Sequence, residues 1–454
     1  MDYSWCSILL LVLVMGVSSL VSSQPCPYEE EKCVCSGSKL VCTNLDSVPA
    51  LKSVYTNIDT LIFLNGSIRS IPTDSLPANL VSITFENADI SDIADDAFNS
   101  STATLREVNF IKLKLPRLPT ALLAVDNLTS LTAAENPMSG SYNRTLMQHL
   151  GKSVRVLKLM PMITYQWNEW FPYFTCLEEF NMYGTFIGYG NISFTSLAGR
   201  LRYLNLTSTY GELPNSYIFA GLSLTHLVLS NNNFRSNGTL LDILLLPIVT
   251  TLQNLYLDSN GLYEIPSSIS KMGNLLFLDL SLNDITTIPS NIFPQSLRDL
   301  DLHNNKILQI TDTTFSNGSQ LQTLNLNLNF HVNVSPLAFL PLQQLRVLLI
   351  QYGGITMLPI SLTALTKLEY LDLYFNLEMK CYCPRGELAK WYRSLTNITV
   401  IGECEPYNSD YGHDLLLYFE MGEYKIICSG FTTLASSWHL SLMMIFVSVV
   451  MFVF

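Results

Sequence analysis

Cysteine is the residue in this chain with the most chemistry to offer, and its placement is uneven. Of ten cysteines, Cys26, Cys33, Cys35 and Cys42 follow the spacing C-x6-C-x-C-x6-C, and Cys381, Cys383, Cys404 and Cys428 form a second cluster. Four clustered thiols make two disulfides in an oxidising compartment or a zinc site in a reducing one. The C-x-C adjacency and the secretory features below favour disulfides over zinc. Other reactive constellations are missing. The sequence has no G-x-S-x-G, no H-E-x-x-H and no phosphate-cradling loop. Gly151-Lys152-Ser153 imitates the end of such a loop, but Leu146 stands where its first glycine belongs. Six histidines are present and none is paired at metal spacing. The expectation is a protein that is not an enzyme, with no cofactor and no resident metal.

Composition narrows the partners. The 454 residues carry 37 acids against 25 bases, a net charge of −12. That balance excludes a nucleic-acid binder relying on a basic surface. Hydrophobic residues reach 48% while charged ones are only 14%, so the apolar segments have to be located. Ile8 to Val17 has the length of a secretory h-region, and Val21-Ser22-Ser23 offers small residues before Gln24. Residues 1–23 are therefore expected to be a signal peptide. Leu440 to Phe454 is apolar, preceded by small Ser429-Gly430 and an uncharged spacer, Phe431 to His439. This is the pattern of a glycosylphosphatidylinositol signal over 429–454, with attachment at Ser429 or Gly430; a short spanning tail is the alternative. Leu240 to Leu252 is interrupted by Asp242 and Pro247, too broken to span a bilayer.

The interior repeats. Apolar residues at offsets 0, 3 and 5 recur from Ile58, Leu80, Leu105, Leu128, Val154, Leu177 and Leu201, then Leu224, Leu252, Leu275, Leu297, Leu321, Leu345 and Leu368. These 14 units are 22 to 28 residues apart and fit L-x-x-L-x-L-x-x-N-x-L, a leucine-rich repeat. Alternation over x-L-x-L-x predicts a short strand with its leucines inward, and one strand cannot bury its own apolar face. Successive units must stack into a parallel sheet. The fold class is α/β: a leucine-rich-repeat solenoid, or horseshoe, with a parallel concave β-sheet and disulfide caps at both ends. Asn136, Asn232, Asn260, Asn283, Asn305, Asn329 and Asn376 fall at the ninth position, where an amide can satisfy the turn's backbone. Gly66, Ala88, Leu113, Met162, Thr185 and Thr209 replace it in N-terminal units, predicting looser, less regular turns there. Segments such as Ile71-Pro72, Ile288-Pro289 and Leu358-Pro359 suit single 3₁₀ or α turns on the convex side. Thr164 to Phe174, dense in aromatics, reads as packed convex structure.

With cysteine clusters bracketing such an array, the chain resembles extracellular leucine-rich-repeat proteins of the Toll-like receptor, Nogo receptor and variable lymphocyte receptor type, over Cys26 to Cys428. The resemblance implies caps paired first with third and second with fourth: Cys26–Cys35, Cys33–Cys42, Cys381–Cys404 and Cys383–Cys428. It divides the chain into an N-terminal cap (24–57), repeats (58–376) and a C-terminal cap (377–428). Cys6 leaves with the signal peptide, and Cys176 is left over, read as a buried free thiol with an intermolecular disulfide as the alternative.

Ten N-x-S/T sequons begin at Asn65, Asn99, Asn127, Asn143, Asn191, Asn205, Asn237, Asn317, Asn333 and Asn397, candidate glycan sites in a secreted chain. Asn205 falls on a strand, so a sugar there would cover part of the concave sheet. The outward strand positions give a ligand-binding face of Tyr256, Asp258, Phe277, Asp279, Asp299, Asp301, His303, Tyr370, Asp372 and Tyr374. Rings and directional charges suit protein contacts. Neighbouring aspartates such as Asp279 and Asp301 repel, which points to a basic partner or a bound cation. The expectation is a recognition protein anchored by lipid on the extracellular face of the plasma membrane. It would bind a protein or glycoprotein and work through a transmembrane co-receptor, as an innate-immune type receptor. An adhesion molecule or a secreted soluble binder are the alternatives.

Overall fold

Alternation and burial agree turn by turn. In the computed structural model Leu204, Leu206, Leu255, Leu257, Leu278, Leu280, Leu324 and Leu326 are fully buried, while the residues between them stay partly open to solvent. The structure describes residues 26–28, 30–52, 57–138, 143–160, 167–184, 193–209, 218–235, 238–381, 386–406 and 413–414. Residues 1–23, the segment 429–454 and the side chains of Cys381, Cys383, Cys404 and Cys428 lie outside the described set, as do Met162, Thr185, Asn191 and Asn237. Chain contacts divide the protein at Asn260/Gly261 into two units.

The first unit begins with an antiparallel hairpin, Cys33–Ser36 against Lys39–Leu45, in which Cys33 stands opposite Cys42. Disulfides Cys33–Cys42 and Cys26–Cys35 fix it. Lys39–Leu45 then pairs in parallel with Thr60–Gly66, and parallel pairing continues strand by strand to Asn254–Tyr256. Tyr28 packs on Phe63 and donates its hydroxyl to Ser75 O at 2.8 Å, covering the end of the first turn. That burial pushes its phenol well above the ordinary tyrosine range. Phe63, Phe85 and Phe110 occupy the offset-5 position in consecutive turns and stack with centroids 5.4 and 6.0 Å apart. Large buried rings replace leucine at this position in the early turns.

The second unit carries Phe277–Asp279, Asp299–Asp301, Thr323–Asn325, Val347–Leu349, Tyr370–Asp372 and Thr399–Ile401, each parallel to the next. The last of these falls within 377–428, the segment expected to form a C-terminal cap. Helix Gly386–Ser394 seals the final turn with Leu388 and Trp391, and the Trp391 indole donates to Leu365 O at 3.1 Å. On the opposite side from the strands the chain makes short turns. Thr120–Ala124, Ser267–Lys271 and Ile360–Ala364 are 3₁₀ helices entered from extended Pro119, Pro266 and Pro359. Proline fixes φ and keeps the preceding residue extended, so the chain leaves its buried anchor straight and then coils. Of the aromatic run, Trp170, Phe171 and Phe174 are buried, with Phe171 against Phe180 and Phe194.

The ninth-position asparagines tie turn to turn. Asn305 donates to Leu302 O of its own turn and to Leu280 O of the turn before, and accepts from Ile285 N. Asn136, Asn232, Asn329 and Asn376 repeat the arrangement. The looser turns expected without asparagine are not seen at Gly66, Ala88 and Leu113. Thr60–Gly66, Ser82–Glu86 and Glu107–Ile111 pair over five or more residues, whereas the later strands span three. The stacked phenylalanines and close backbone approach hold these turns instead. At Gly66, with φ +109°, a Cβ would come within 2.3 Å of Leu45 O.

A second regularity stands one residue earlier. Asn65, Asn87, Lys112, Glu135, Ser208, Asn231, Ser259, Leu282, Asn304, Leu328, Tyr352 and Phe375 all have φ between 51° and 59°. Each of these turns thus leaves its strand through a left-handed residue, a conformation that costs an ordinary L side chain about 1–2 kcal/mol and that asparagine tolerates. Leu282→Asn should therefore stabilise the protein by up to about 1 kcal/mol and Leu282→Val destabilise it, measured by urea denaturation. Asn305→Ala, which strips three buried backbone groups of partners, should cost about 3 kcal/mol or more in the same assay.

Candidate binding face

The strand register brings the sequence-selected residues into rows. In the second unit the first row is Phe277, Asp299, Thr323, Val347, Tyr370 and Thr399. A second row aligns Asp279, Asp301, Asn325, Leu349, Asp372 and Ile401. Tyr256 and Asp258 belong to the first unit, beside Val228 and Ser230.

The second row has an internal task. Asp279 accepts from Ser281 N at 2.9 Å, Asp301 from His303 N at 2.8 Å, Asn325 from Asn327 N at 3.1 Å and Asp372 from Tyr374 N at 3.0 Å. The short acidic or amide side chain bends back to satisfy the amide two residues on, as such side chains do at turns. These aspartates therefore do not need a cation to explain them. Asp301 also accepts from His303 Nδ1 at 2.8 Å and from Asn325 Nδ2 at 3.1 Å. Asp372 is only 3% exposed and takes further bonds from Gln351 Nε2 (2.6 Å) and the Tyr370 hydroxyl (3.3 Å). It is part of the floor rather than a contact. Partial burial, then the Asp372 charge and bond, raise the Tyr370 phenol above its ordinary range.

What the face offers a partner is accordingly smaller than the sequence indicated. Asp299 is half-exposed and its carboxylate has no hydrogen-bond partner among the described residues. Phe277 is half-exposed next to it, and Tyr374 is exposed at the far end. In the first unit Asp258 accepts from Ser230 and Ser259, and the Tyr203 ring lies over His226 at 5.8 Å. Asn205 stands on its strand as expected, its Oδ1 accepting from both Thr207 N and Thr207 Oγ1. Cys176 is free but half-buried rather than buried, its thiol donating to Lys152 O at 3.5 Å, because it precedes the buried Leu177.

Sequence reading missed the rings beside this face. Phe375 stacks on Tyr352 at 4.6 Å and meets Tyr374 edge-on at 4.5 Å. Both Tyr352 and Phe375 occupy the left-handed position, and bulky apolar residues just before a ladder position were the available signal. Among the described residues no three side chains of His, Cys, Asp or Glu group to hold a metal ion, and no helix is long and apolar enough to cross a membrane.

Asp372→Ala should lower stability by about 2 kcal/mol through its unsatisfied donors, whereas Asp299→Ala should change it by less than about 0.5 kcal/mol. Tyr370 titrates higher folded than unfolded, so its contribution holds below pH about 10 and is lost as pH rises further. Tyr370→Phe should flatten that alkaline loss in pH-dependent denaturation.

Comparison with known proteins agrees with this architecture. Residues 295–355 match the family model described as Leucine rich repeat. The chain is 35% identical over 131 residues to lumican from Bos taurus, covering 28% of this chain and 34% of lumican. It is 34% identical over 113 residues to Tsukushi from Mus musculus, 24% of this chain and 31% of that protein. The chain thus spans about a third of the length of these curated relatives. Among solved structures, the TLR13-ssRNA13 complex aligns with a TM-score of 0.56 at 18% identity, over 78% of this chain and 56% of that one. An LRR protein of Leptospira interrogans aligns at 0.52 and 20% identity, over 76% and 78%. At these identities the likeness is one of fold. With its repeating leucine strands, its asparagine ladder and its disulfide-bonded N-terminal hairpin, the chain has the leucine-rich-repeat solenoid fold, and its residues 295–355 match that family's model.

Proposed function

We propose that the protein is an extracellular recognition molecule whose strand face in the second unit binds a protein or glycoprotein carrying basic groups. The observation that carries this reading is Asp299, whose carboxylate has no partner among the described residues, beside half-exposed Phe277 and next to a row in which Asp279, Asp301, Asn325 and Asp372 bond their own turns. Such a floor is rigid, so a partner contacting it loses little to reordering. The net charge of −12 favours a cationic ligand. The RNA in the TLR13 complex belongs to that protein, and an acidic face of this kind repels phosphate. Extracellular placement is supported by the two N-terminal disulfides, the sequons and the apolar residues 8–17. The residues 429–454 support lipid anchoring, and the role of a receptor working through a membrane-spanning partner follows from it.

Asp299→Lys together with Phe277→Ala should reduce binding at least about tenfold while leaving the unfolding midpoint near that of the unaltered protein. Unchanged binding in both variants moves the site off this face. Phosphatidylinositol-specific phospholipase C should release the protein from cells if the anchor is present. Aggregation of cells expressing it would favour adhesion; binding of microbial products without aggregation would favour an immune role.

A further inference from the structure

The second unit contains a break in its convex side with a cavity beside it. Asn333–Val334 pairs in parallel with Gln309–Ile310 as a two-stranded ladder, and among the described residues no strand continues it on the far edge. There, between residues 331–336 and 354–360, lies a cavity of about 320 Å³. Its walls include Pro336, Pro359 and Met357, which is 55% exposed, with His331 and Glu378 as polar groups. An open strand edge presents amide and carbonyl groups that want partners, and 320 Å³ is at the small end of ligand pockets. Asn333 itself lines this cavity. It is exposed, its carboxamide has no hydrogen-bond partner among the described residues, and it opens the sequon Asn333-Val334-Ser335.

We infer that Asn333 is N-glycosylated and that the first sugar of its glycan seats in this cavity. The inference rests on the extracellular placement proposed above. In the modification Asn333 Nδ2 forms a bond to the sugar's anomeric carbon as the carbon–oxygen bond to a polyprenyl pyrophosphate donor breaks. The pyrophosphate leaves and the amide gives up one proton. An N-acetylhexosamine matches the walls: its C–H face covers Met357 and the prolines, and its hydroxyls and acetamide reach the open strand edge, His331 and Glu378. The occupant is supplied by the chain itself, so no high affinity is required; tethering keeps it at the site. Because the cavity has room for about one sugar, the rest of the glycan projects into solvent.

The test uses the full chain secreted or displayed by eukaryotic cells, with the exposed sequon Asn317 of the same unit as the reference. Glycopeptide mass spectrometry should find Asn333 occupied. On the native protein, peptide N-glycosidase should release the Asn333 glycan at least about threefold more slowly than that of Asn317. Mild peroxide should oxidise Met357 at least about threefold faster in Asn333→Gln than in the unaltered protein, with Ser335→Thr, which keeps the sequon, behaving like the unaltered chain. Occupied Asn333 with equal release rates and unchanged Met357 oxidation overturns the seating. Occupied Asn317 with bare Asn333 overturns the whole inference but not the extracellular placement. A chain bare at every sequon overturns both.

Discussion

Everything in this protein depends on satisfying backbone groups at the place where each strand ends and the chain turns over its own core. A leucine strand can be buried only if the next turn lies directly upon it, and the turn that permits this points amides and carbonyls inward. The asparagine ladder meets that need with one side chain per turn, whose amide donates to carbonyls of two successive turns and whose oxygen accepts from an amide of the turn before. Because each bond links neighbours, the array is held one turn to the next rather than by a single central core.

The left-handed residue before the ladder position is the companion constraint. A strand must be broken sharply to aim the asparagine inward, and φ near 55° does so. Asparagine fits the position in several turns, yet Leu282, Leu328, Tyr352 and Phe375 also hold it. Stacking of Tyr352 on Phe375 offsets part of the cost at the end of the second unit. The N-terminal turns solve the same problem with other means: stacked phenylalanines, a glycine against Leu45 and a disulfide-bonded hairpin. Both solutions leave the strand face free of structural duty except at the aspartates and asparagines that cap their own turns.

That exception reshapes the candidate site. Asp279, Asp301 and Asp372 look alike in sequence to Asp299, but their offset within the repeat gives them an amide two residues on to hold. Asp299 lies on the preceding outward position, two residues earlier, and keeps its charge for solvent or a partner. The distinction was legible in principle, since the offsets are fixed by the leucines; the direction in which each carboxylate bends was not. The hidden state of Asp372 depends on Tyr370 of its own strand and on Gln351, which the preceding turn brings to it.

Periodicity alone determined the repeat, the strand positions, the inward leucines, the ladder asparagines and the bracketing by cysteine clusters, because each is a local pattern that recurs at a fixed spacing. It could not determine what depends on which side chains become neighbours across turns. The stacked phenylalanines, the Trp391 seal on the last repeat, the bonds that Asn325 and Gln351 add to Asp301 and Asp372, and the cavity beside Asn333 all arise from contacts between residues some 20 or more positions apart. Offset within a repeat is written in the sequence. Which groups are left unpartnered once the turns are stacked was decided by the tertiary structure, since only stacking sets the distances over which hydrogen bonds and ring contacts form.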